Sequence, residues 1–117
     1  MKTRHYTRAQ ALQLIPYLEG ILVEVAERRE AVAHEEEMIR ALRPTREVHA
    51  DEIRDREARL AAERRELRRS LGELEQLGCT LAGTDPLEVH VPGEGIGYGW
   101  RPGERFLRYP SAEPSAA

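Results

Sequence analysis

The chain has 117 residues, with 18 Lys and Arg against 21 Asp and Glu, and aromatic residues make up only 5%. That length suits one domain, and the lone Cys79 excludes both an intrachain disulfide and a cysteine-built zinc cage. A formal net charge of −3 argues against a nucleic-acid partner, and no apolar run approaches the ~18–20 residues a membrane helix needs. With no signal-peptide core at the N-terminus, a cytoplasmic protein without a membrane partner is expected.

The first predicted element is a helix over 7–43. Thr7 followed by Gln10 forms a capping box ahead of the apolar run Ala11, Leu12, Leu14, Ile15. Pro16 lacks the N–H a helix interior uses, so a kink or short break is predicted near it. Leu18, Val25, Val32 and Ile39 then repeat at seven residues, with Ile21 and Leu42 beside them. Pro44 ends this helix, and Thr45 is predicted to cap a second one over 45–78. There Ile53, Leu60, Leu67 and Leu74 repeat at seven with Leu71 alongside, and Gly78 suits the left-handed position after a helix end.

The two repeats predict one antiparallel, coiled-coil-like hairpin. With the turn at Pro44–Arg46, Leu18 faces Leu74, Val25 faces Leu67, Val32 faces Leu60, and Ile39 faces Ile53. This register also sets Arg28 against Arg64 and Glu35 against Glu57, so flanking partners such as Arg29 with Glu63, or Glu36 with Arg56, are needed. A slip of one heptad pairs Arg28 with Glu57 but puts Arg64 against Ile21 and strands Ile39 in the turn, which favours the first register. Near the chain ends Leu14, Ile15, Leu22 and Ala26 widen the apolar stripe beyond what two helices bury. A C-terminal module, a second subunit, or both must cover it.

Residues 79–110 predict a small antiparallel β-meander. Leu87, Val89 and Val91 alternate with Glu88 and His90, then come strands at Tyr98–Trp100 and Phe106–Tyr109, separated by Gly- and Pro-containing turns. The glycines at 95, 97 and 99 weaken the second strand and leave room for another backbone to approach. Residues 111–117 read as a disordered tail. The fold class is therefore α+β, mostly α: a long antiparallel helical hairpin capped by a small antiparallel β-meander within one domain, 1–110.

Several stretches together carry a family resemblance. They are Tyr6-Thr7 with Ala11 and Leu14-Ile15-Pro16-Tyr17-Leu18, then Leu77-Gly78-Cys79, Val89-His90-Val91-Pro92, and Trp100-Arg101-Pro102-Gly103-Glu104. In that order and spacing the chain resembles the domain of unknown function 2203 family, a group of prokaryotic proteins. The resemblance implies a fold and no particular activity. The family pattern places an Asp at the position of His90 and a Trp-His pair where this chain reads Arg108-Tyr109-Pro110-Ser111, so no role carries over to those positions.

Candidate functional residues follow from side-chain chemistry. Trp100 and Arg101, with Glu104, Tyr98 and Tyr109, suit a partner surface, because Trp and Arg are favoured at binding hot spots. The competing reading has Trp100 plugging the base of the hairpin while Arg101 and Glu104 pair across their turn. His90 belongs on the open face of its strand. A metal site is conceivable at His34, Glu35 and Glu57, but carboxylate dimetal bundles use Glu-x-x-His, and Ala31 stands three residues before His34. The Arg64-Arg65 and Arg68-Arg69 pairs are interleaved with acids, and no Gly-rich phosphate loop or serine elbow is present. The residues thus predict a non-enzymatic structural or interaction protein with no cofactor. It would be a homodimer through Leu14, Ile15, Leu22 and Ala26, with a possible further protein partner. The alternative is a metal- or small-ligand-binding protein using the polar hairpin layers or the His90/Trp100 face.

Overall fold

A computed structural model describes residues 5–93, 95 and 97–108. Tyr109, Glu94 and the 111–117 tail lie outside them. Two long helices pack together and a three-stranded antiparallel sheet follows them, in the order α1 (Arg8–Leu42), a 3₁₀ turn (Arg43–Thr45), α2 (Ala50–Gln76), β1 (Thr80–Thr84), β2 (Leu87–Val91) and β3 (Tyr98–Trp100). The class is α+β, mostly α. The chain divides into two compact units, one of Met1–Leu22 with Leu71–Ala117 and one of Val23–Ser70.

In the first unit, the N-terminal capping box forms reciprocally. The Thr7 N–H donates to Gln10 Oε1 at 3.0 Å and the Gln10 N–H to Thr7 Oγ1 at 3.2 Å, satisfying two donors that a helix start leaves open. α1 then runs through Pro16 without the predicted break. A single missing N–H is tolerated here because Ala11, Leu18 and Leu22, on either side of it, are fully buried and hold the segment in place. α2 ends in a left-handed turn at Gly78 (φ 80°), with the Cys79 N–H donating to the Leu74 carbonyl at 3.2 Å and the Gly78 N–H to that of Glu75 at 2.8 Å. Tyr6 Oη donates to the Leu77 carbonyl at 2.6 Å, so a side chain from the N-terminal segment caps the C-terminal end of α2.

The sheet differs from the predicted meander by one strand. β1 (Thr80–Thr84) pairs with β2 through a bulge between Leu81 and Gly83, and β2 pairs with β3 in the order β1-β2-β3. Its Gly83 and the Asp85-Pro86 turn hide β1 from an alternation pattern. Of the predicted third strand, the described residues 106–108 form one bridge, between Gly99 and Arg108, whose N–H and carbonyl groups exchange hydrogen bonds of 2.9 and 2.8 Å. Gly99 thus admits the approaching backbone that its missing side chain anticipates. One core closes the unit: Ala11, Leu18, Leu22, Leu74, Cys79, Val89, Val91, Trp100 and Leu107, all at most 3% exposed. At ~1.5–3 kcal/mol per large apolar side chain buried, this cluster is the main stabilising term of a small unit.

The second unit is helical hairpin. The predicted turn lengthens: α2 begins at Ala50 rather than Thr45, because the Thr45 carbonyl accepts the N–H groups of Val48 and His49 in a further turn. Val25, Ile39 and Leu60 are buried, and Val32, Ile53 and Leu67 are half-buried, as seam positions should be. The like charges that the register sets face to face find other partners. Arg28 bonds Glu63 at 3.0 Å and Glu24 at 2.8 Å, Arg64 bonds Glu36 at 2.6 Å, Arg56 bonds Glu35 at 3.0 Å, and Arg43 lies 3.7 Å from Glu57. Each such pair contributes only ~0.2–1 kcal/mol. Their larger effect is to remove the repulsion that Arg28/Arg64 and Glu35/Glu57 would otherwise carry.

Candidate functional site

Trp100 lies inside the first unit. It is fully buried, it is paired in register with Val89, and its indole N–H donates to the Glu104 carbonyl at 2.9 Å. A side chain with no exposed surface cannot touch a partner, so Trp100 leaves the proposed contact surface and becomes the plug of the core. Around it Glu88, Arg101, Glu104 and Arg108 form a charged rim. Glu88 accepts from Arg101 Nε at 3.2 Å and from Arg108 at 3.4 Å; Glu104 accepts from Arg108 at 3.1 Å and from the Arg101 backbone N–H at 2.9 Å. Arg101 therefore meets Glu104 through its backbone, and its guanidinium goes to Glu88. Burial opposes the Glu104 charge, but the bonds from Arg108 and Arg101 outweigh it and hold the carboxyl below its ordinary range.

Two aromatic rings rest on glycines. A Cβ on Gly97 (φ 90°) would lie 2.8 Å from His90 Cε1 and 2.8 Å from the Val91 carbonyl oxygen, and one on Gly93 would lie 2.7 Å from Tyr98 Cε2. His90 is half-buried on the open face of β2, as its alternation with buried Val89 and Val91 requires. Tyr98 is half-buried and packs on the core.

Cys79 is fully buried, and loss of hydration pushes its thiol up to about 12. Thiolate chemistry at neutral pH is thereby suppressed. A thiol reagent such as Ellman's reagent is expected to leave native protein unmodified at pH 8 over an hour and to label one thiol per chain in denaturant. Rapid labelling without denaturant would show Cys79 to be accessible.

α1 carries apolar residues on more than its inner side. Ala11, Leu18 and Leu22 are buried, while Leu12 (37% exposed), Pro16, Tyr17 (69% exposed) and Gly20 lie open. Leu12, Pro16 and Gly20 recur at four-residue steps and so form one outward row. Beyond its two chain neighbours and the adjacent helix backbone, no atom of the described residues comes within 4 Å of where a Gly20 Cβ would be. Beside this row, His5, Tyr6, Gln10, Gln13, Leu14 and Tyr17 line a cleft of about 420 Å³.

A family model described as "Uncharacterized conserved protein (DUF2203)" matches residues 4–110. The chain belongs to the DUF2203 family. No curated protein and no solved structure matches it. The match covers the capping box, both helices, the sheet and the Trp100 turn of this DUF2203 chain. No helix among its described residues is long and apolar enough to cross a membrane.

The remaining candidates of the DUF2203 chain are placed as follows. Leu22, one of four residues expected at a dimer contact, is 1% exposed and belongs to the chain's own core; Leu14 and Ile15 are half-buried against that core, and Ala26 is half-buried. The core of the first unit takes up Leu14, Ile15 and Leu22, so the open apolar surface of that segment of α1 is the row Leu12, Pro16 and Gly20 on its other side. His34 is exposed, Glu35 is engaged by Arg56 and Glu57 by Arg43. Among the described residues no three His, Cys, Asp or Glu groups stand together as a metal ion would need. The outward row was missed because inward residues dominate the heptad count, yet Leu12, Pro16 and Gly20 at equal spacing are a readable signal.

Proposed function

We propose that this DUF2203 protein is a cytoplasmic, non-enzymatic scaffold that works as a homodimer, joined through the outward row Leu12, Pro16, Tyr17 and Gly20 of α1. The observation that carries the reading is apolar character on both sides of one helix segment, with only the inner side covered by the chain itself. A helix apolar around its circumference is stable when both sides are packed. Gly20 supports the same reading: a helix-interior Gly costs ~1 kcal/mol against Ala, and none of the described residues outside its own helix turn uses the space above it. A second helix approaching there would use that space. A further protein partner would meet the rim of Arg101, Glu104 and His90, with Trp100 fixing that rim from beneath.

Two variants test the reading. Leu12→Glu changes an exposed position, so the chain's own stability is expected to move by less than about 0.5 kcal/mol. Gly20→Lys is expected to raise helix stability by ~0.5–1 kcal/mol through propensity alone. Both are expected to give monomers by light scattering at concentrations where the parent is a dimer. A dimer retained in both would refute this interface.

A further inference from the structure

The hairpin unit holds a second surface, separate from the outward row. A groove of about 700 Å³ is lined by Ile39, Leu60, Arg40, Arg43 and Arg64 together with Glu36 and Glu57. Ile39 and Leu60, buried at 4% and 9% exposed, show only a narrow apolar edge at its floor. The two carboxylates are already engaged, Glu36 by Arg64 and Glu57 by Arg43, and among the described residues Arg40 pairs with Glu37 outside the groove. These pairs are largely solvent-exposed and weak, so the guanidinium groups can exchange them for a stronger acceptor.

The same unit carries a segment of matching character. Val48, at the hairpin turn, is 81% exposed, the most exposed large hydrophobic residue among those described. It sits in Glu47-Val48-His49-Ala50-Asp51-Glu52, which has three acids and no Lys or Arg; Asp51 pairs with Arg54 at 3.2 Å while its side chain stays 95% exposed, and Glu52 pairs with Arg56 at 3.3 Å. An apolar knob flanked by carboxylates complements an apolar edge flanked by guanidinium groups. Leu60 lies roughly 15 Å along α2 from its first residue at ~1.5 Å per residue. Two hairpins overlapped antiparallel by that length would lay each turn on the other's groove, in the reciprocal manner of a two-fold contact. We infer that the groove is a docking site for the 47–52 turn of a second copy of this chain, with Val48 on Ile39 and Leu60 and Glu47 and Asp51 on Arg40, Arg43 and Arg64.

Disulfide cross-linking between two differently labelled chains tests this. Val48→Cys protein mixed with Arg64→Cys protein is expected to form the mixed disulfide at least about tenfold faster than Val48→Cys mixed with Arg59→Cys. A docked pair has an effective concentration near millimolar against micromolar for random encounter. Arg59 is exposed and outside the groove lining, and the native Cys79 is buried. Adding Arg40→Glu to the Arg64→Cys chain is expected to bring the rate down to the control. Equal rates for the 64 and 59 positions would overturn the proposal, and so would a fast rate indifferent to Arg40→Glu, which would place some other contact there. In the Leu12→Glu background, at concentrations where that chain scatters light as a monomer, the cross-link is expected to persist, because the disulfide traps a contact too weak to hold a dimer by itself. Its failure with the parent interface intact would therefore count against the turn contact alone.

Discussion

Trp100→Ala is expected to cost about 3–5 kcal/mol, the range for removing a buried Trp or Phe from a core. Trp100 is the largest fully buried side chain, and it stands among Leu18, Leu22, Leu74, Val89 and Val91. Few other large side chains are available to close over the space, because the aromatic content is so low. A small protein with a total stability of ~5–15 kcal/mol would be near unfolding at 37 °C after such a loss. Trp100→Phe separates volume from hydrogen bonding. It keeps an aromatic ring but leaves the Glu104 carbonyl without its indole donor, and a loss of about 1–3 kcal/mol is expected. Urea unfolding followed by circular dichroism reads both, since fluorescence disappears with the Trp. A loss under 1 kcal/mol for the Ala variant would mean that the ring is not the plug.

Gly97→Ala is expected to destabilise by about 2 kcal/mol or more, through two separable causes. A φ of 90° is unfavourable for any residue with a Cβ, and the Cβ would press on the His90 ring and the Val91 carbonyl. Gly103 has a similar φ of 92° with nothing within 4 Å, so Gly103→Ala reports the backbone cost by itself. The difference between the two variants measures the clash. His90→Ala combined with Gly97→Ala should recover part of that difference, because the ring contact is gone while the carbonyl contact remains. Equal losses at 97 and 103 would contradict the close packing of His90 on β3's approach.

Periodicity and capping chemistry made the helical part of the fold readable. Thr7 with Gln10, the seven-residue spacing of Leu18 to Ile39 and of Ile53 to Leu74, and Gly78 each announce a local structure whose cause is local. The limits lie where tertiary contacts decide. Pro16 predicts a break by its own chemistry, yet burial of Ala11, Leu18 and Leu22 carries the helix through. β1 contains no alternation to find, and it exists because β2 offers an edge. The charged seam was legible as a conflict but not as a solution. Arg28 chooses Glu63, one position from the Arg64 that the register sets against it, and a flexible guanidinium reaches either.

The candidate surfaces divide in the same way. His90 on the open face and the involvement of Arg101 and Glu104 at their turn follow from strand alternation and turn spacing. Trp100 did not, since a Trp suits a core and a contact surface equally until its burial is known. Leu22 looked surplus on a helical wheel because the wheel does not show that the sheet returns to cover it. The row Leu12, Pro16 and Gly20 was overlooked for a related reason. Two of its members are usually read as helix breakers before they are read as a surface.

Sedimentation equilibrium of the unmodified chain over a micromolar concentration range tests the scaffold reading most directly. A particle of twice the 13.3 kDa chain mass, or a multiple of that dimer, is the predicted result. A mass of 13.3 kDa at every concentration would contradict it.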